Sequence, residues 1–165
     1  MRIIALLVVL LGLSACVSVS TSPAPSVMKH TEKPPATSPS QVVSDYLEAL
    51  KEGDFGKTYD FISSGYAANL DKESYELNMK QSLGKYHWAL LGYQILGIQM
   101  LGDQAFVLTE LEMRFQPANS DKEIQKKIKV QYELAVLENK WKIASDKCIF
   151  NCIPPEDFVG QGSNP

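Results

Sequence analysis

Few side chains in this sequence are suited to covalent or acid–base chemistry: three cysteines, two histidines and seven tyrosines among 165 residues. Cys148 and Cys152 lie four residues apart. In an oxidising compartment such a pair forms a disulfide, and closing so short a loop contributes about 2 kcal/mol in the chain-entropy description. Two other uses stay open. A redox-active pair is disfavoured because the spacing is not Cys-x-x-Cys. A zinc site needs three or four ligands, and the sequence holds only His30 and His87 as imidazoles. His87, between Tyr86 and Trp88, is either a pocket residue or an ordinary surface histidine. Tyr46, Tyr59 and Tyr66 either line a hollow or belong to the core. Asp60, next to Tyr59, reads as a solvated carboxylate. No Ser-His-Asp set, phosphate-cradling glycine loop or metal cluster can be assembled from these residues, so no catalytic residue, metal or cofactor is expected.

The third cysteine, Cys16, has a different setting. Met1-Arg2 is a minimal positive start, and residues 3–13 are apolar apart from Gly12. Eleven residues are too few to cross a hydrocarbon core, which takes about twenty, but match the central region of a signal peptide. Ser14 and Ala15 supply the small residues of a cleavage site, with Cys16 first in the mature chain. Leu13-Ser14-Ala15-Cys16 resembles the lipobox of bacterial lipoproteins. That resemblance implies a diacylglyceryl thioether on Cys16 and usually a third acyl chain on its amine. Two or more chains, at ~0.8 kcal/mol per buried CH₂, hold a protein on a membrane stably. Val17 follows where Asp often signals inner-membrane retention, so in a Gram-negative cell the expected location is the outer membrane, facing the periplasm.

Residues 16–37 form the lipidated start and a linker rich in Pro, Ser and Thr. Pro23, Pro25, Pro34 and Pro35 exclude a regular helix. Fully extended at ~3.1 Å per residue, such a linker reaches roughly 65 Å. The organisation expected is a leader at 1–15, the linker to 37, a folded domain over 38–147, and a tail over 148–165 that the disulfide pins down.

The elements of that domain follow from capping and periodicity. Ser38 caps a helix, Pro39 takes its first position, and Gln41 completes a capping box. Val42, Val43, Tyr46, Leu47 and Leu50 form one stripe, and Gly53 supplies a left-handed stop. Asp54 caps a second helix with Phe55, Tyr59 and Ile62 inward, ending at Ser63-Ser64-Gly65. A third helix starts at Asp71 and carries Tyr75, Met79 and Leu83 up to Gly84. The period then changes to two. A long apolar strand runs from Tyr86 with a bend or bulge at Gly92 or Gly97, and Gly102-Asp103 turns it back. In the next strand Val107, Thr109, Leu111, Met113 and Phe115 share the inner face. In the third, Ile128, Val130, Tyr132, Leu134 and Val136 do so. Glu110 and Glu112 fall near Lys127 and Lys129 on the outer face, where opposite charges across strands contribute about 0.2–1 kcal/mol each. Glu138-Asn139 leads into a last strand at 141–145. Helices followed by antiparallel strands give an α+β fold, with N-terminal helices packed in the concave face of a curved antiparallel sheet.

At Ser38-Pro39, Val42-Val43, Tyr46-Leu47, Ala49-Leu50, Gly53-Asp54-Phe55, Tyr59 and Trp141-Lys142-Ile143 the sequence resembles the NTF2-like (cystatin-like) superfamily, and within it the DUF4878-type lipoproteins. Asp71-Lys72, Tyr75, Leu83-Gly84 and Tyr86 are similar to the NTF2-like N-terminal domain of MecA-type penicillin-binding proteins. The resemblance covers residues 38–146. It implies a cone whose open end takes small molecules. Enzymes on this fold place Asp, His or Tyr inside the cone, whereas the inner faces assigned to the second and third strands hold Thr109 and Tyr132 and no carboxylate. The expected function is therefore a membrane-anchored, non-catalytic binding or interaction module of the cell envelope. Its partner is a small apolar ligand or an envelope protein, and a homodimer through the sheet is possible. Two alternatives are an enzyme of SnoaL or isomerase type, and an accessory domain for cell-wall machinery. A formal net charge of −3 provides no electrostatic footprint for nucleic acid.

Overall fold

The computed structural model describes residues 35–117 and 121–153. The leader, Cys16 and most of the linker lie outside the described residues. Helix α1 spans Pro39–Glu52. Ser38 Oγ accepts the Gln41 N–H at 3.2 Å, satisfying one of the unpaired donors of the first turn. The capping box is only half formed, because the Gln41 amide donates forward to Asp45 at 2.8 Å. Gly53, at φ +74°, closes the helix on the Ala49 and Leu50 carbonyls, a conformation in which a Cβ is unfavourable. Helix α2 is only Phe55–Tyr59, shorter than the sequence pattern suggests. The chain leaves it to form a single parallel bridge between Ile62 and Ile143. There the Ser63 N–H donates to the Ile143 carbonyl at 2.8 Å and the Ile143 N–H to Phe61 at 2.9 Å. Two backbone bonds to the sheet replace one more helical turn. Helix α3 spans Lys72–Tyr86 and passes through Gly84; it ends where His87 takes left-handed geometry at φ +47°.

Four strands follow: β1 (Ala89–Leu101), β2 (Gln104–Phe115), β3 (Ile124–Leu137) and β4 (Lys140–Phe150). They form one antiparallel sheet in the order β1-β2-β3-β4. β1 begins at Ala89, beyond His87, and β4 runs five residues past the expected Ser145, so Cys148 lies within the strand. Cys148 and Cys152 form a disulfide, with their Cα atoms 5.8 Å apart. The expected alternation is realised in β2 and β3. Val107, Thr109, Leu111 and Phe115 are buried, as are Ile128, Val130, Tyr132 and Leu134. Glu110 lies opposite Lys129 and Glu112 opposite Lys127, and Lys127 Nζ is 3.5 Å from Glu110. β1 slips register twice, at Leu90/Gly92 and at Ile95/Gly97, leaving Leu91 and Leu96 as extra residues that bend the strand. Helix α1 packs on β1, β2 and β4. Val43, Leu47, Val107, Leu134 and Ile143 are fully buried at the centre of this α+β core.

The β3–β4 turn carries a local conflict. Glu138 and Asn139 both have positive φ, +51° and +60°, as a type I′ turn requires, and Glu is poorly suited to that region. Replacing the pair by Asn-Gly is expected to stabilise the domain by about 1 kcal/mol, raising the thermal midpoint by roughly 5 °C with an unchanged circular dichroism spectrum.

Candidate functional site

The site begins with an irregularity in β4. Ile143 pairs with Leu134 and Ser145 pairs with Glu133, so Ala144 is an extra residue. Side chains alternate along a strand, so one added residue reverses the phase beyond it. Ser145 turns outward, its hydroxyl donating to Glu133 at 3.0 Å. Asp146 lies directly opposite Tyr132 and shares that residue's inner face. β4 is an edge strand, and Asp146 is exposed there to solvent.

Four tyrosines from four different segments meet at this place. Tyr132 comes from β3 and Tyr46 from the inner stripe of α1; they are 3% and 4% exposed. Their rings pack edge to face with centroids 6.0 Å apart. Tyr66 comes from the loop after α2, held by its N–H donating to Ser63 Oγ at 3.1 Å. Tyr75 comes from α3. The Tyr46 hydroxyl lies near those of Tyr66 and Tyr75, and both act on its ionisation. The Tyr75 hydroxyl lies 3.4 Å from Thr58 Oγ1, which donates to the Phe55 carbonyl at 2.8 Å. The result is a cluster of neutral hydroxyls under the sheet. It reaches solvent beside Asp146 and the partly exposed Tyr66.

Burial pushes the Tyr46, Tyr66 and Tyr132 hydroxyls far above the usual phenol range, because a phenolate would lose its hydration. Burial also raises Tyr75. The Asp146 carboxylate adds to the rise at all four. At neutral pH the cluster therefore offers fixed, uncharged donors and acceptors beside one carboxylate.

The structure thus joins Tyr46, Tyr66 and Tyr132. Tyr59 touches the cluster through Tyr75, with ring centroids 5.5 Å apart, but its own hydroxyl donates to the Leu70 carbonyl at 2.9 Å. Thr109 is fully buried and donates to the Val130 carbonyl at 3.0 Å, a role within the sheet. His87 is exposed at the end of α3 and lies outside the cluster. Asp60 is a surface carboxylate paired with Lys72 at 2.9 Å. Three contributors were not singled out for this role from the sequence. Tyr75 was visible only as part of a helical stripe. Thr58 lay in a short helix. Asp146 carries no sequence signal, because simple alternation from Trp141 and Ile143 places it outward.

Cavities of ≈400 and ≈320 Å³ flank Trp141 at the other end of β4, under Pro35 and Thr37. Among the described residues no group of three or more His, Cys, Asp or Glu could hold a metal ion. No described helix is long and apolar enough to cross a membrane.

No protein-family model matches the chain, and no curated protein matches it significantly. Solved structures resemble it in fold. A ketosteroid isomerase-like protein from Erwinia carotovora atroseptica is 14% identical over 64% of this chain and 87% of its own, with a TM-score of 0.50. An NTF2-like protein from Cytophaga hutchinsonii is 14% identical over 66% of this chain and 92% of its own, at 0.49. A protein from Planctomyces limnophilus is 15% identical over 66% and 92%, also at 0.49. The chain has the NTF2-like fold. At these identities the likeness concerns fold alone.

The buried tyrosines determine how stability responds to alkali. Their folded pKa values lie above the unfolded value near 10, so above pH 10 the unfolded chain holds fewer protons than the folded one. Stability is then full below pH 10 and falls beyond it, by up to about 1.4 kcal/mol per pH unit for each buried tyrosine. Alkaline titration is expected to show phenolate absorbance rising in one cooperative step with loss of near-ultraviolet circular dichroism. Independent titration of all seven tyrosines near pH 10 in a folded protein would contradict the buried network.

Proposed function

We propose that this chain is a lipid-anchored protein of the cell envelope whose NTF2-like domain is a non-catalytic binding module, taking a small ligand at the tyrosine cluster. Leu13-Ser14-Ala15-Cys16 and the proline-rich linker support the anchor. The observation that carries the binding reading is the meeting of tyrosines from four segments, which the partly exposed Tyr66 brings to the surface. Tyr46, Tyr75 and Tyr132 are each more than nine-tenths buried, and burial holds them neutral. A general acid or base works best with a pKa near the working pH. These hydroxyls are far from it and are unsuited to exchanging protons with a ligand; Tyr66, the partly exposed member, is the one placed to meet it.

A second reading is an enzyme of isomerase type. It is favoured by one observation, the position of the Asp146 carboxylate on the face that carries the hydroxyls. The two readings separate in one experiment. Native mass spectrometry of the Cys16→Ser chain, purified from an oxidising periplasm, is expected to show an excess mass that vanishes on denaturation and falls in occupancy in Tyr66→Phe. The bound molecule is expected to be chemically the same in Asp146→Asn. Accumulation of a different, unprocessed molecule in that variant would establish turnover.

The anchor is tested in the same host. The unaltered chain should fractionate with membranes and take up labelled palmitate; Cys16→Ser should do neither.

A further inference from the structure

We infer that two copies of this chain associate edge to edge through β1, antiparallel about Gln99, to give one sheet of eight strands. This goes beyond the binding-module reading and does not depend on it. β1 and β4 are the two edges of the sheet, and they are built differently. An edge strand offers unpaired N–H and C=O groups to any matching strand unless charge, proline, a bulge or a covering segment blocks it. β4 is blocked. It carries Lys140, Lys142, Asp146 and Lys147, and the chain after α2 takes up part of its free side, where Phe61 and Ser63 bond to the backbone of Ile143. β1 holds no charged residue and no proline over its 13 residues. Every residue from Leu96 to Gln104 is exposed, among them Leu96 at 41%, Ile98 at 49%, Met100 at 51% and Leu101 at 54%.

The register follows from where β1 is regular. Both slips lie before Gly97, and pairing with β2 is continuous from Gly97–Leu108 to Leu101–Gln104. The bulge at one end and the Gly102-Asp103 turn at the other limit the regular free edge to Gly97–Leu101, with Gln99 in the middle. An antiparallel pair about Gln99 uses all of it. Gln99 then faces the partner's Gln99, Ile98 faces the partner's Met100, and Gly97 faces the partner's Leu101. A Cβ added at Gly97 would meet nothing within 4 Å, which leaves room for that leucine. The contact is isologous, as a two-fold dimer requires, and no charge opposes another across it.

The side chains support the same contact. Ile98 and Met100 share the inner face with Val107 and Ala105, which are fully buried, so the pairing extends the apolar inner layer across the edge. Met100 also lines the ≈400 Å³ cavity beside Trp141, to which the partner's Ile98 adds a wall. The outer face of the sheet, where Glu110 and Glu112 lie opposite Lys129 and Lys127, is charged and stays in water.

The test is sedimentation of the full chain carrying Cys16→Ser over a range of concentrations. A reversible dimer is expected. Gln99→Lys, at an exposed position, sets like charges against each other at the two-fold axis and is expected to weaken the dimer roughly 5-fold with an unchanged circular dichroism spectrum. A short bis-maleimide is expected to join Gln99→Cys to its own copy, since Cys148 and Cys152 are already paired. It should leave Gln94→Cys unlinked, because in this register those two positions stand roughly 30 Å apart. A monomer at every concentration, a dimer that Gln99→Lys does not weaken, or equal cross-linking at both positions overturns the inference. The cross-linking decides alone if the lysine variant folds poorly. None of these measurements reads a ligand, so each of those results leaves the tyrosine-site reading standing.

Discussion

A sheet of four strands can wrap a helix only if its edges bend, and here both edge strands bend by carrying extra residues. β2 and β3 pair without a slip from Gln104–Ala135 to Phe115–Ile124. β1 slips twice and β4 slips twice, the latter at Glu133/Leu134 and Lys129/Val130. Bulges increase local twist and turn a strand away from the plane. The straight centre and bent edges make a hollow that α1 fills with Val43 and Leu47, both at 0% exposure. Burying side chains of this size contributes about 1.5–3 kcal/mol each. That gain exists only while the edges curve, so core packing and edge irregularity depend on each other.

The same geometry explains why polar groups are tolerated inside. A hydroxyl transferred to an apolar interior without a partner costs on the order of 1–3 kcal/mol. Thr58 avoids this by donating to the Phe55 carbonyl, with the Tyr75 hydroxyl 3.4 Å from its own oxygen. Among the described residues no fully buried side-chain nitrogen or oxygen lacks a partner. Phenylalanine would fill the volume without any network. Tyrosine instead sets a hydroxyl of α3 beside Thr58 of α2.

Much of this was legible in the sequence, for identifiable reasons. Ser38, Gly53, Asp54 and Asp71 marked helix ends through caps that act locally. β2 and β3 were legible because alternation is strict where one face is buried. Gly92 and Gly97 pointed to irregularity in β1. By contrast, Ala144 is an unremarkable residue, and nothing local distinguishes a bulged alanine from a paired one. Its effect comes from the pairing of β4 with β3 over a long sequence separation. Asp146 was therefore assigned to no site, although the residues opposite it were assigned correctly to the inner face. The start of β1 departs from the sequence pattern for another reason. A histidine between two aromatics has the composition of a strand, but the left-handed turn that ends α3 occupies its backbone first.

The relation between tether and site follows from β4 itself. The linker enters the domain at Ser38. Ser38, Gly102, Asn139 and Trp141 line one cavity, which places the entry at the end of the sheet where both hairpin turns lie. Asp146 is five residues further along β4, roughly 16 Å away at about 3.3 Å per residue. The chain entry and the tyrosine cluster therefore stand at opposite ends of β4, and Ala144 lies between them: pairing with β3 is regular from Lys140 to Ile143, and the phase that brings Asp146 to the inner face begins only beyond it.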